Sequence, residues 1–117
     1  MTRGDLYWVD FGVPTGSAAG LRRPAVVLQS DEYNATALNT VVVVPFTSNL
    51  NLADYKPNVY VTAEDSGLSK NSVAIIPLVT DLDKTCFIEK ISSLPSSVVD
   101  EIYNAVIEIV VYLKKWW

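Results

Sequence analysis

The sequence predicts a mainly β protein, a small and strongly bent antiparallel sheet closed by one C-terminal helix. Three observations predict it. Short β-branched and aromatic runs, separated by clusters of Gly, Pro, Asn and Ser, fill the first three quarters of the chain. From Ser96 onward the apolar period changes from that of a strand to that of a helix. Finally, 117 residues, 50% of them hydrophobic, suffice for one core and not for two, so one domain over residues 1–117 is expected.

The elements follow in order. Leu6 to Phe11 is aromatic and β-branched, and Val13-Pro14-Thr15-Gly16 breaks it. Ala25 to Gln29 makes a second strand, with Pro24 at its first position, where a missing N–H does least harm. Asp31 to Leu38 is polar and turn-like. Thr40 to Val44 is continuously apolar, as a strand covered on both faces would be. Asn49 to Lys56 is a loop, after which Asn58 to Thr62 alternates as a short strand. Ser66-Gly67-Leu68-Ser69 reads as a turn. Ser72 to Leu78 reads as a strand in which Pro77 marks an edge or a bulge, and Thr85 to Ile91 as the last strand. In the helix, Val98, Ile102, Val106, Ile109 and Leu113 recur at spacings of four and three and form one apolar face. Ser97-Val98-Val99-Asp100 resembles a capping box at its start, and Lys114 and Lys115 suit its negative end.

Charge narrows the function. Thirteen acidic residues against nine basic ones leave a formal charge of −4. Coating duplex DNA relies on many phosphate neutralisations, and this balance argues against it. A local cationic site that grips one or two phosphates stays open. Two of the three arginines, Arg22 and Arg23, are adjacent, at the end of a Gly-containing loop and beside a strand. Guanidinium groups held there can present a fixed positive fork to a phosphate. Cys86 is the sole cysteine, so no internal disulfide is available and a reducing cytoplasm is expected. Its segment, Thr85-Cys86-Phe87-Ile88, reads as a buried strand thiol. The N-terminus lacks the apolar core of a signal peptide. The longest apolar runs, Val41 to Val44 and Ile109 to Leu113, fall far short of the ~20 residues that span a bilayer. A soluble protein with no membrane partner is expected.

The chain has no histidine, which removes imidazole general bases, Ser-His-Asp triads and histidine metal sites. Its carboxylates are scattered, and the close pairs Glu64-Asp65 and Asp81-x-Asp83 read as solvated turns. Guanidinium, hydroxyl and backbone groups remain. They suffice for RNA cleavage, because the substrate brings its own nucleophile in the ribose 2′-OH. The protein must then align 2′-OH, phosphorus and leaving group, and neutralise the charge that grows on the phosphate. Tyr7 and Trp8 could stack bases, but an alternating strand turns one of them to the core, so at most one can.

Arg3-Gly4-Asp5-Leu6-Tyr7-Trp8-Val9-Asp10-Phe11, Gly16-Ser17, Arg23-Pro24-Ala25-Val26-Val27 and Pro45-Phe46-Thr47-Ser48-Asn49, in that order, resemble the MazF/PemK (Kid) family of toxin endoribonucleases. Weaker matches at Asn71-Ser72-Val73-Ala74, Thr80-Asp81-Leu82-Asp83-Lys84 and Leu94-Pro95 extend the resemblance over nearly the whole chain. The resemblance implies an SH3-like small barrel of the MazF/Kid/CcdB type, assembled as a homodimer. It implies cleavage of single-stranded messenger RNA at short sequence motifs with no metal and no cofactor, leaving 2′,3′-cyclic phosphate and 5′-OH ends. It also implies a cognate MazE-like antitoxin whose extended, acidic C-terminal tail crosses the RNA groove. Catalytic roles fall on Arg23 and Thr47. Arg22, Gln29, Ser48, Asn49, Ser17 and Gly16 would bind RNA.

The chain departs from the family at several positions. Ala18-Ala19 stand where many members carry Glu-Gln, Ile75 and Pro77 are apolar where the Kid branch has an acid–base pair, and Thr80 replaces a frequent basic residue. Two rival readings share the fold. CcdB-type gyrase poisons bind a protein through C-terminal residues and cleave nothing, a mode that Trp116 and Trp117 faintly echo. A weakened homologue that only binds RNA or antitoxin would fit Ala18 and Ala19. The Arg23 and Thr47 pair favours the nuclease.

Overall fold

The computed structural model describes residues 1–13, 16 and 20–114, the side chains of 112–114 excepted. In chain order come β1 (Asp5–Asp10), β2 (Arg22–Val27), α1 (Asp31–Asn34), β3 (Thr40–Thr47), β4 (Val59–Val61), α2 (Ala63–Ser66), β5 (Ser72–Ala74), β6 (Thr80–Asp83), β7 (Phe87–Ser93) and α3 (Ser96–Lys114). Single 3-10 turns occupy Leu50–Asp54, Ile76–Leu78 and Lys84–Cys86.

Every strand pairing among the described residues is antiparallel. The strand order is β4-β5-β3-β2-β1-β7, with β6 also paired to β3. The mainly β class and the C-terminal helix are those the sequence predicts. The expected barrel, however, is open, since β4 and β7 end the sheet without pairing to each other. β3 joins its parts. Val43 pairs with Val27 of β2 on one side and Thr80 of β6 on the other, and then Phe46 and Thr47 pair with Ala74 and Val73 of β5. One strand thus exchanges β6 for β5 along a single edge.

Alternation along β1, β2 and β3 sends successive side chains to opposite faces and builds two apolar clusters. On one face Leu6, Val26, Val44 and Phe46 meet β4, β5 and the Val98, Val99, Ile102 and Ala105 stripe of α3. On the other, Val9, Ala25, Val27, Val41 and Val43 gather Tyr7, Phe11, Leu82 and Phe87. Val42 is exposed, so β3 is not covered on both faces along its whole length as its apolar run suggested. The helical stripe matches the predicted period, with Val106 and Ile109 half-buried against the same core; the side chain of Leu113 lies outside the described residues. Arg3, the third arginine, lies 4.5 Å over the Tyr103 ring and fastens the N-terminus to α3. Buried Asp5 accepts from Thr2 N and Ser93 Oγ and pairs with Lys90 Nζ at 3.3 Å, locking β1 to β7.

Local differences from the sequence reading have identifiable causes. The helix starts at Ser96, and the Pro95 carbonyl accepts from Val98 N and Val99 N. Ser97 therefore lies inside the first turn, not at the cap of a capping box. The run Ser72 to Leu78 stops being a strand at Ala74, because Asn58 Oδ1 takes the Ile76 N–H and Pro77 enters a 3-10 turn. Asp81 and Asp83, read as a turn, belong to β6, an edge strand whose Thr80, Asp81 and Asp83 are exposed. Charge along an edge strand deters pairing with another chain. Asp83 also caps the next turn, accepting from Thr85 N at 2.9 Å and Thr85 Oγ1 at 2.8 Å. Cys86 lies on that turn and is half-buried, so it is not the buried strand thiol expected.

Candidate active site

A groove of ≈ 380 Å³ opens where β2 and β3 part. The last β2–β3 pair is Ala25 with Pro45; two residues further, Thr47 pairs with Val73 of β5 along the opposite edge of β3 and has no β2 partner. Extending the β2–β3 register past that pair sets Thr47 opposite Arg23. Residues so opposed lie on the same face of a sheet. Both side chains are half-buried and both line the groove, together with Trp8, Arg22, Pro24, Phe46 and Ser48.

The approach to Arg23 is rigid. Phe11 N donates to Leu21 O at 2.8 Å and Leu21 N to Gly12 O, which closes the base of the long loop. Leu21 adopts φ 62°, in the left-handed region that costs a side-chain-bearing residue ~1–2 kcal/mol. Strain of this kind persists only where the surroundings fix it, and it clusters at functional sites. Here it aims the two arginines that follow. Arg23 Nε donates to Gly20 O at 3.1 Å, which orients the guanidinium plane; its Nη groups make no hydrogen bond to any described residue. Arg23 therefore ties the loop and presents its fork at once. Thr47 Oγ1 accepts from Asn49 N at 3.2 Å, leaving its own proton to donate into the groove.

The other sequence-predicted residues distribute unevenly. Arg22 is exposed and lines the groove at its rim, and Ser48 lines it beside Thr47. Asn49 is adjacent but uses its side chain to cap the next turn, accepting from Asn51 N at 3.2 Å. Gln29 lies away from the groove, its amide donating to Asn34 Oδ1 at 3.0 Å and Thr40 O at 3.3 Å and accepting from Val42 N at 3.2 Å. That is a cross-strand brace. Gly16 is exposed at φ 58° and is not part of the lining, while Ser17, Ala18, Ala19, Trp116 and Trp117 lie outside the described residues. Of the two adjacent aromatics, Tyr7 packs edge-on against Phe87 at 5.4 Å in the second cluster, and Trp8 is the one at the groove.

The far wall was missed in the sequence. Leu68, Ser69, Lys70 and Asn71, between α2 and β5, form it with Ser72, the first residue of β5. Gly67, in the left-handed region at φ 76°, ends α2, and Asn71 Oδ1 accepts from Ala63 N at 2.8 Å, so this loop is held at both ends. A lysine inside a turn cluster ahead of a strand was the available signal, and it is weak. Among the described residues, Lys70 brings a third cation to a lining that holds no carboxylate. Among the described residues no three His, Cys, Asp or Glu side chains group closely enough to hold a metal ion. The groove can thus neutralise an anion from two sides, donate from a hydroxyl and offer an indole face for stacking.

Residues 2–110 match the model of a family described as PemK-like, MazF-like toxin of type II toxin-antitoxin system. The chain is 37% identical over 102 residues to Endoribonuclease MazF6 of Mycobacterium tuberculosis, covering 87% of this chain and 90% of that protein. It is 33% identical over 106 residues to Endoribonuclease MazF of Staphylococcus saprophyticus, covering 91% and 88%. Its fold superposes on the crystal structure of MazF from Deinococcus radiodurans with a TM-score of 0.80 at 25% identity, over 94% of this chain and 96% of that one. A MazE-MazF crystal structure from the same organism matches with a TM-score of 0.73 at 27% identity, over 94% and 95%.

Proposed function

The chain belongs to the PemK-like, MazF-like toxin family of type II toxin-antitoxin systems, and from that premise we propose that it cuts single-stranded messenger RNA in the groove of Arg23 and Thr47. It is an endoribonuclease toxin, as its relatives are named. One observation carries the catalytic assignment: a guanidinium from β2 and a hydroxyl from β3 line the same groove from opposed register positions.

The chemistry follows from those groups. The ribose 2′ oxygen forms a bond to the adjacent phosphorus as the bond from phosphorus to the 5′ oxygen breaks. The 2′-OH proton passes to solvent and the 5′ oxygen takes one from solvent, leaving a 2′,3′-cyclic phosphate and a 5′-OH. Negative charge accumulates on the non-bridging oxygens meanwhile. The Arg23 fork takes that charge in a planar, bidentate geometry, and the Thr47 hydroxyl donates to one oxygen. Donors fixed in advance where charge develops give the largest gain, because nothing reorganises at the moment of reaction. Arg22 and Lys70 hold flanking phosphates, and Trp8 offers a base its stacking face. No metal and no cofactor enters this scheme.

The same reading assigns the protein to the cytoplasm, where messenger RNA is, and to a homodimer. A MazE-like antitoxin with an extended, acidic C-terminal tail restrains it, a partnership for which the MazE-MazF neighbours are the support. Acidic side chains laid over Arg22, Arg23 and Lys70 would complement the groove's charge. Incubation of the purified protein with a transcript in the presence of EDTA tests the scheme: fragments bearing 5′-OH ends are expected at the rate seen without chelator. Loss of cutting with EDTA, or intact RNA alongside trapped gyrase, would overturn it.

A further inference from the structure

The far wall of the groove carries a polar group that the fold does not use. Ser72 opens β5 and is 3% exposed, yet its Oγ has no hydrogen-bond partner among the described residues. Three other serines of this region are paired: Ser66 Oγ accepts from Leu68 N, Ser92 Oγ donates to Ser66 O, and Ser93 Oγ donates to Asp5. An unpaired buried hydroxyl destabilises a native state and calls for a reason.

Its position supplies one. Ser72 lines the groove with Phe46 and Leu68, across from Arg23 and Trp8. The next residue, Val73, is the cross-strand partner of Thr47. Ser72 is therefore one residue from the segment that holds the reacting hydroxyl. Its main chain is fixed by pairing with Val61, and the preceding Asn71 is tied to Ala63 N. The hydroxyl hangs on one torsion and has no partner to give up, so turning it toward the groove breaks no hydrogen bond.

We propose that Ser72 Oγ reads the edge of the unpaired nucleobase that flanks the scissile phosphate. This rests on the ribonuclease reading above. A base has a flat face for Leu68 and the Trp8 indole, both half-buried at the groove, and a polar rim for one neutral hydroxyl. A phosphate in the same place would lay its charge against apolar side chains with a single neutral donor, while Arg22, Arg23 and Lys70 line the same groove to take it. Phosphates therefore bind to the cations and the base enters the floor. Single-strand readers work in this way, by stacking a splayed base and bonding its edge.

The experiment is cleavage of an RNA pool randomised around one site, with 5′-OH ends sequenced for wild type, Ser72→Ala and Arg23→Ala, and with melting temperatures measured in parallel. For Ser72→Ala the base preference at one position beside the cut is expected to fall about 3- to 10-fold, the worth of one hydrogen bond. Its melting temperature is expected to equal or exceed that of wild type, because the lost hydroxyl was unpaired. An unchanged preference overturns the proposal. A lowered melting temperature also overturns it, by assigning the hydroxyl to the fold. If wild type and Arg23→Ala both leave the pool intact, the ribonuclease reading itself has failed and the base reader falls with it.

Discussion

Arg23 does two things with one side chain, and the division between them can be measured. Nε braces the loop through Gly20 O while the Nη pair faces the groove. A lysine at this position keeps the charge but offers neither the brace nor a planar fork. Arg23→Lys is therefore expected to lose most of the activity, about 10²-fold or more in kcat on a fixed RNA substrate. Activity within a few-fold of wild type would show that charge alone suffices. Arg23 and Arg22 were legible in the sequence because arginine is scarce in it, and Thr47 only through the block Pro45-Phe46-Thr47-Ser48-Asn49. Ser72 and Lys70 were not legible. They reach the groove through the pairing of Thr47 with Val73, a long-range contact that no local pattern reports. Acid stability also resolves at this scale. Asp31, held by Arg3 N at 2.7 Å and then by Asn34 Nδ2 at 3.0 Å, has its carboxyl lowered below the usual carboxylate range, and Asp83 is lowered by the amide and then the hydroxyl of Thr85. A carboxylate whose folded value is depressed stabilises the fold above its unfolded value, near pH 4, and loses that contribution as the pH falls through the folded value. The melting temperatures of wild type and Asp31→Asn should accordingly converge as the pH drops below about 4; a constant gap from pH 7 to pH 2 would contradict this.

At the level of the elements, the groove exists because β3 changes partners. Its first half lies between β2 and β6 and its last residues between nothing and β5, so β2 and β3 separate at the arginines. The helix holds that geometry from behind. Ile102 is fully buried between α3 and the sheet face that carries Phe46, itself part of the groove lining. Ile102→Ala is expected to destabilise by about 2–5 kcal/mol in denaturant unfolding. Gly4 adds a second constraint, because at φ 95° a Cβ there would approach Val99 Cγ2 to 3.0 Å. Gly4→Ala should cost about 1–3 kcal/mol through the left-handed backbone and the crowding of α3. A change below the error of the measurement would contradict the tight junction of β1 with α3. Helix and long strands were readable because their apolar residues recur at one period. β6 was not, since its alternation runs through Thr80, Asp81 and Asp83, and the pattern of charge mimics a turn. The short helices at Asp31–Asn34 and Ala63–Ser66 are set by side-chain caps from Ser30 and Thr62 and are too brief to carry a period.

For the whole molecule, a formal charge of −4 coexists with a groove lined, among the described residues, by three cations and no carboxylate. Net repulsion of nucleic acid combined with local attraction limits binding to strands that can enter the groove, and it makes that binding sensitive to salt. With no histidine in the chain, no imidazole can act as base, and the proposed scheme takes its nucleophile from the substrate's own 2′-OH. A synthetic RNA carrying one preferred cleavage site, compared with the same strand bearing a single 2′-deoxy sugar just 5′ of the scissile phosphate, isolates that step. Wild-type protein should cut the first to a 2′,3′-cyclic phosphate and leave the second whole, with Arg23→Ala and Thr47→Ala each about 10²–10³-fold slower on the first. Equal cutting of the deoxy-substituted strand, or an Arg23→Ala protein as fast as wild type, would contradict it.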